Sequence, residues 1–262
     1  MLFRSWLSNR MTEQRISMND VVLTCSVKYL AFEETMRRVP TSKPSGLFGT
    51  PIAISTKREK RAVPFIITSC IREVERRGIA EVGIYRVSGS AADVARLKKA
   101  YETNPYEAEQ LLKECDIHSV AGILKLYLRD LPESVFTTVV YNKMFEAYTT
   151  IPSHDQEARK NMFLNLFSQI PQNPNQACIV FLIEHMVRVS QFEAQNKMSL
   201  HNLATVFGPT MLHCGDHSIA KKAGKDQLTS GTVDVMAQAG ILHFFLTRRA
   251  RGEPIQIVER QV

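Results

Sequence analysis

No apolar run in this 262-residue chain approaches the ~20 residues that a membrane-spanning helix needs. The densest, Ala177 to Ile183, is stopped by Glu184. The opening residues, Met1-Leu-Phe-Arg-Ser-Trp-Leu7, lack the apolar stretch of about 7 to 15 residues that marks a secretory signal. Cysteine is scarce as well: Cys25, Cys70, Cys115, Cys178 and Cys214 are odd in number, scattered, and never form a Cys-x-x-Cys pair. That pattern argues against a disulfide framework or structural zinc and leads us to expect a reduced, cytoplasmic protein. No Gly-Lys-Ser/Thr follows the glycines near residue 85, so nucleotide binding by a P-loop is not expected. A Gly-x-Ser-x-Gly elbow and a His-Glu-x-x-His helix are equally absent. His213-Cys-Gly-Asp-His217 has metal-ligand residue types but no second ligand set. It reads as the start of a mobile surface loop that continues through Lys221-Lys-Ala-Gly-Lys-Asp226, and no metal is expected.

The chain is 44% hydrophobic, enough for one substantial domain with an appendage. Its net charge of +7 is uneven, with 11 Lys/Arg against 5 Asp/Glu in residues 1–62 and 22 against 21 in the remainder. The basicity thus belongs to an N-terminal arm, where acids, prolines and serines interrupt it. Such an arm reads as a solvated segment; nucleic acid is not an expected partner, and peripheral membrane contact through the arm is a weaker expectation. Within it, residues 21–29 alternate in the manner of a half-buried strand. Arg37 to Gly46, with two prolines and small polar residues, reads as linker.

Beyond Arg61 the pattern is helical. Pro64 suits the first turn of a helix with Ile67, Cys70, Ile71 and Val74 on one stripe, and Gly78 is expected to close it in the left-handed conformation. Ser90 and Asp93 suggest a capping box before a helix that ends near Thr103. Helical periods recur near 118–131, 139–150, 156–169, 176–192, 198–206 and 232–249, with Pro132, Pro152, Pro171 and Pro209 as breakers. The expected fold is all-α, with about eight helices.

In the 118–131 segment, a spacing of 100° per residue gathers Val120, Ile123, Leu124, Tyr127, Leu128 and Leu131 on one wide face and leaves Lys125 and Arg129 together on the other. Gly83-Ile-Tyr-Arg-Val-Ser-Gly89 places Arg86 within a glycine-bracketed turn. Taken singly, each cation reads as solvated surface, Asn202 as a helix residue bonded to nearby backbone, and Leu203, Val206 and Phe207 as core.

Taken together, residues 63–212 resemble the Rho GTPase-activating (RhoGAP) domain. Gly83 to Gly89, including Tyr85 and Ser88, is similar to that family's arginine-finger loop, with Arg86 at the finger position. Lys125-Leu-Tyr-Leu-Arg129-Asp-Leu-Pro132 is similar to its second motif, which implies that Lys125 and Arg129 support the loop and the GTPase contact. Asn196 to Pro209 is similar to its third, with Asn202 at the position that contacts the partner near its nucleotide. Val74 to Gly89 and Asn196 to Pro209 are most similar to the breakpoint-cluster-region group of that family, in which a C2 domain precedes the helical one. Residues 18–60 accordingly resemble the end of a C2 domain with its connector. The resemblance implies residues 1–40 as an arm with a C2 remnant, 41–62 as linker, 63–250 as the RhoGAP domain and 251–262 as a tail.

Two departures from the pattern stand out. Leu131-Pro-Glu-Ser134-Val135 replaces a usual Leu-Pro-Glu-Pro-Leu and is expected to loosen one turn beside the site. Arg260 occupies the place of a hydroxyl that a PDZ-binding tail would need. The implied role is that of a GTPase activator rather than an independent enzyme. It would lend Arg86 to a GTP-bound Rho-family partner, Rac-type for preference, which itself holds Mg²⁺ and the nucleotide. A cytoplasmic location with recruitment to the partner's membrane follows. A module that binds GTPases without accelerating hydrolysis is the alternative the sequence leaves open.

Overall fold

The computed structural model describes residues 12–18, 21–27, 46–213 and 227–255. The chain divides into two units, residues 1–43 and 44–262. In the first, β1 (Thr12–Met18) pairs antiparallel with β2 (Val21–Val27), from Thr12 opposite Val27 to Met18 opposite Val21. Alternation identifies β2 in the sequence, but β1 carries only Ile16 and Met18 as apolar residues. An arm read as a solvated segment with one strand therefore contains a paired hairpin.

The described part of the second unit contains eleven helices, not eight. They are α1 (Ile52–Glu59), α2 (Phe65–Arg77), α3 (Ala91–Thr103), α4 (Pro105–Glu114), α5 (Ile117–Arg129), α6 (Thr138–Thr150), α7 (Gln156–Ser168), α8 (Ala177–Ser190), α9 (Glu193–Asn196), α10 (Leu200–Met211) and α11 (Gln227–Ala250). A π-turn, Gln172–Gln176, leads into α8. Helix α5 packs against α2, α3 and α10, while α11 packs on α6, α8 and α10. The stripe of α2 (Ile67, Cys70, Ile71, Val74) and that of α5 (Val120, Ile123, Leu124, Tyr127, Leu128) are buried as the helical period predicts. Among the described residues no helix is long and apolar enough to cross a membrane.

Several expectations are corrected. Within the supposed linker 41–62, the described residues 46–62 contain α1 and are packed: Leu47 and Ile52 are buried, the Leu47 and Phe48 amides donate to the Glu102 carboxylate at 3.1 and 2.9 Å, and Glu59 accepts from the Phe65 amide at 2.7 Å. Helix α4 starts at an unread signal, Asn104 accepting from the Tyr106 amide at 3.1 Å with Pro105 in the first turn, where a missing N–H costs nothing. Pro209 does not break α10. Phe207 and Met211 are buried on either side of it, and Gly208 lies so close to α11 that a Cβ there would be 2.8 Å from the Ala239 amide nitrogen. Tertiary packing thus outweighs one lost backbone bond. Gly78 closes α2 at φ −125°, not in the left-handed region; it is needed because a Cβ would meet the Ile117 side chain at 2.3 Å.

The turn expected to be loosened by Ser134 and Val135 is buried at both residues, the Thr137 amide donates to Ser134 O at 2.9 Å, and Asn175 Nδ2 donates to Val135 O at 2.9 Å. His213 is likewise no surface residue: it is buried, and its Nε2–H donates to Leu128 O at 3.3 Å. The remainder of the 213–217 cluster and Arg260 lie outside the described residues.

Phe245 joins α11 to the far end of the core, its ring 5.8 Å from Phe136, 5.3 Å from Phe167 and 6.3 Å from Phe163. Phe245→Ala is expected to destabilise the domain by about 3–5 kcal/mol, measured as a shift of the urea midpoint at constant slope.

Candidate functional site

The segment between α2 and α3 is short, and its conformation is fixed from several sides. Gly83 has φ +71°, and its carbonyl accepts from the amides of both Arg86 and Val87 at 2.8 Å, closing a tight turn. Its own amide donates to Asn196 O at 2.8 Å, tying the turn to the end of α9. Asn196 is fully buried: its Nδ2 donates to Ile79 O at 2.8 Å and Val189 O at 2.9 Å, and its Oδ1 accepts from the Met198 amide at 2.8 Å. At the other end of the loop, a Cβ on Gly89 would lie 2.2 Å from the Ser119 amide nitrogen, so only glycine lets the loop pass α5. Only one half of the expected capping box forms. Ser90 Oγ accepts from the Asp93 amide at 3.3 Å, but the Ser90 amide donates to Ser119 Oγ at 2.9 Å instead of to Asp93.

Tyr85 is the constrained residue of this loop. It has φ +70°, unfavourable for a side chain with a Cβ, yet is completely buried. Its ring packs edge-on to Phe207 of α10 at 4.8 Å and to His185 of α8 at 5.6 Å. Its hydroxyl meets His185 Nε2 at 2.6 Å; His185 Nδ1 lies 2.7 Å from Glu75 Oε1 of α2, which also receives Arg188 Nε at 2.8 Å. The Tyr85 carbonyl accepts from Lys125 Nζ of α5. With its amide donating to Gly83 O, the next residue, Arg86, is exposed beside exposed Val87 and Ser88.

Lys125 is partly buried, and burial, helped by nearby Arg129, pulls its pKa below the ordinary value. Arg129, one helical turn and about 6 Å along α5, is exposed, and among the described residues it makes no hydrogen bond to the 83–89 loop. The loop-supporting contact expected of Arg129 is therefore not made; Lys125 reaches the loop and Arg129 faces outward. No carboxylate among the described residues pairs with Arg86, Lys125 or Arg129, whereas neighbouring Asp130 is taken by Lys98 at 2.9 Å. Asn202 is half-buried: its amide donates to Ser199 Oγ at 3.1 Å and its Nδ2 to Lys197 O at 3.1 Å. Its local backbone bonding stiffens the Asn196–Ser199 segment on which Gly83 hangs. Pro209 sits half-buried two turns further along α10. Two shallow clefts of about 500 and 480 Å³ flank Asn173, lined by residues such as Val63, Phe181, Lys57 and Arg61 rather than by the 83–89 loop. The candidate site is thus an exposed, cationic surface, with Arg86 and Arg129 open to another molecule.

Sequence reasoning missed Glu75 and His185. His185 lies within the most apolar helix, where it reads as core, and no local spacing links it to Tyr85, 100 residues earlier.

A match to the RhoGAP domain model spans residues 64–216, more than half of the chain, and the chain belongs to that family. It is 42% identical over 243 residues to the human Breakpoint cluster region protein, covering 91% of this chain and 19% of that protein. The Active breakpoint cluster region-related protein of Xenopus laevis is 42% identical over 233 residues, covering 88% of this chain and 26% of the relative. The chain thus spans about a fifth to a quarter of the length of these relatives. Among solved structures, human Rho GTPase activating protein 15 aligns with a TM-score of 0.63 at 25% identity, covering 85% of this chain and 98% of that one.

The buried relay sets an acid response. Burial holds the His185 pKa below its ordinary 6.5 despite the Glu75 contact, so the imidazole is neutral, with Nδ1–H donating to Glu75 and Nε2 accepting from Tyr85. The hydrogen bond from His185, and then that from Arg188, hold Glu75 below its ordinary 4.5 against the opposing effect of its partial burial. Both groups bind a proton more readily when unfolded, so their contribution is complete above their ordinary values and is lost on acidification. Stability is expected to decline from about pH 6.5 downward through His185, and further below about pH 4.5 through Glu75. Calorimetric melting of His185→Gln should decline less between about pH 7 and 5 than that of the parent chain.

Proposed function

We propose that this chain is a GTPase activator for GTP-bound Rho-family small GTPases, Rac-type for preference, and that it acts by inserting Arg86 into the partner's active site. The observation that carries this reading is a family member's exposed arginine on a backbone pinned by Lys125, Asn196 and Ser119. The Rac preference follows the resemblance to the breakpoint-cluster-region group and is the finer part of the reading.

When the terminal phosphoryl group passes to water, negative charge spreads over its oxygens. A guanidinium is planar, multidentate and charged at every relevant pH, so it can span those oxygens without a change of protonation state. Mg²⁺ and GTP belong to the partner, as does the group that orients the attacking water. The chain contributes Arg86, with Lys125 holding the loop backbone and Arg129 offering an unpaired cation to the partner's acidic surface. Asn202, on the neighbouring segment, approaches the same partner near its nucleotide. No independent catalytic activity belongs to the chain in this reading. Its place is the cytoplasm, at membranes where the partner sits.

Arginine fingers of this kind raise GTP hydrolysis by about 10³- to 10⁵-fold, equivalent to roughly 4–7 kcal/mol. Arg86→Ala is therefore expected to lower single-turnover hydrolysis at saturating chain by at least about 10³-fold, with affinity for the GTP-loaded GTPase changed only a few-fold. Lys125→Ala and Arg129→Ala should weaken both rate and affinity. A panel of Rho-, Rac- and Ras-type GTPases tests partner class in the same assay. Acceleration that survives Arg86→Ala would refute the finger, and binding without acceleration by the parent chain would make it a recognition module.

A further inference from the structure

The resemblance that singles out Arg86 says nothing of what lies behind it, and there the side chains form a continuous line. Arg188 on α8 pairs with Glu75 on α2 at 2.6 Å; Glu75 holds His185, and His185 holds the Tyr85 hydroxyl. Tyr85 directly precedes Arg86 in the chain. His185 and Tyr85 are fully buried, so water does not compete for their bond. Glu75 fixes the tautomer: with Nδ1–H donated to the carboxylate, Nε2 has only a lone pair to offer, and the phenol must donate to it. Replacing Tyr85, His185 or Glu75 leaves a buried polar atom of Tyr85 or His185 without its partner, which gives this line a defined geometry rather than mere packing.

We propose that His185 and Glu75 are positioning residues for the finger. They act through the Tyr85 hydroxyl to hold Tyr85 at positive φ, so that the chain leaves it in the direction that presents Arg86. The phenol and the carbonyl of Tyr85 are held from different helices, His185 on α8 and Lys125 on α5. Two anchors on opposite ends of one residue restrict its rotation more closely than either alone. The inference rests on the reading of Arg86 as a finger and adds the residues that aim it. A shift of about 1 Å in a reacting group can change a rate by ~10²-fold, so loss of one anchor is expected to reduce rate without removing the docking surface.

The test uses the full chain and a GTP-loaded Rac-type GTPase in single-turnover hydrolysis. Tyr85→Phe keeps the ring and removes only the hydroxyl. Its saturating rate should fall about 10-fold, with the half-saturating concentration within two-fold of the parent. His185→Leu should fall at least as far. His185→Gln, whose amide can accept from Tyr85 and donate to Glu75, should recover much of that loss. The Tyr85→Phe/His185→Leu double variant should be no worse than the poorer single, because both remove one bond. In an Arg86→Ala background, Tyr85→Phe should change the residual rate by less than two-fold, since nothing remains to aim.

Melting temperatures identify folded variants; should His185→Leu not fold, Tyr85→Phe alone and in the Arg86→Ala background still decides. A parent-like saturating rate for Tyr85→Phe, alongside a severe Arg86→Ala defect, would overturn the relay and leave the finger intact. An equal loss from Tyr85→Phe with and without Arg86 would also overturn it, pointing to general distortion. Parent-like acceleration by Arg86→Ala would instead remove the finger reading, and the relay with it.

Discussion

A lysine ammonium donating to a main-chain carbonyl, Lys125 to Tyr85, is the contact on which the arrangement of the site depends. Taking a primary ammonium partly out of water is unfavourable, and its lowered pKa reflects that burial. Arg129 on the next turn adds like-charge repulsion. One carbonyl offsets only part of this, so the position is poorly explained as a device for stabilising the isolated domain. It is well explained if the ammonium's task is to fix a backbone unit beside a residue that must be presented, with a negatively charged partner supplying the missing compensation.

The core around that contact was largely readable in the sequence. Helix α5 was legible because its apolar residues follow the helical period so closely that Lys125 and Arg129 separate from them without knowledge of any other element. Helix α2 was legible for the same reason. The capping of α3 was half legible: Ser90 does cap, but its own amide goes to Ser119, a residue no local motif connects with it. Helix α1 was hidden because Ile52, Ile54, Ser55 and Thr56 are mediocre helix formers. Its conformation depends on burial against the rest of the domain, and the residues leading into it, Leu47 and Phe48, are held by Glu102, more than 50 residues away in the chain.

The least legible part is the line of side chains behind Arg86. Glu75 lies on the partly exposed side of an amphipathic helix, His185 in an apolar run, and Tyr85 in a loop whose notable neighbour is an arginine. Each alone has an ordinary explanation. Only the approach of Glu75 on α2 to His185 on α8 brings a carboxylate, an imidazole and a phenol into line, and such an approach is a property of the whole fold. Pro209 teaches the converse lesson: a strong local breaker was overridden because Phe207, Gly208 and Met211 all pack inward, so that the fold decided against the propensity.

The cost of ordering a loop accounts for the number of groups that hold residues 83–90. Ordering a residue's backbone costs about 1–2 kcal/mol. A floppy stretch from Gly83 to Ser90 would therefore demand roughly 8–16 kcal/mol on docking. An arginine finger returns only about 4–7 kcal/mol in the transition state. A loop ordered by its partner would consume more than the arginine supplies. With Gly83 held by Asn196, Tyr85 by Lys125 and His185, and Ser90 by Ser119, the backbone cost is met on folding. What remains is the freedom of the Arg86 side chain, about 2 kcal/mol at most. That remainder is smaller than the gain, and on these magnitudes a single exposed arginine suffices only where the loop beneath it is rigid beforehand.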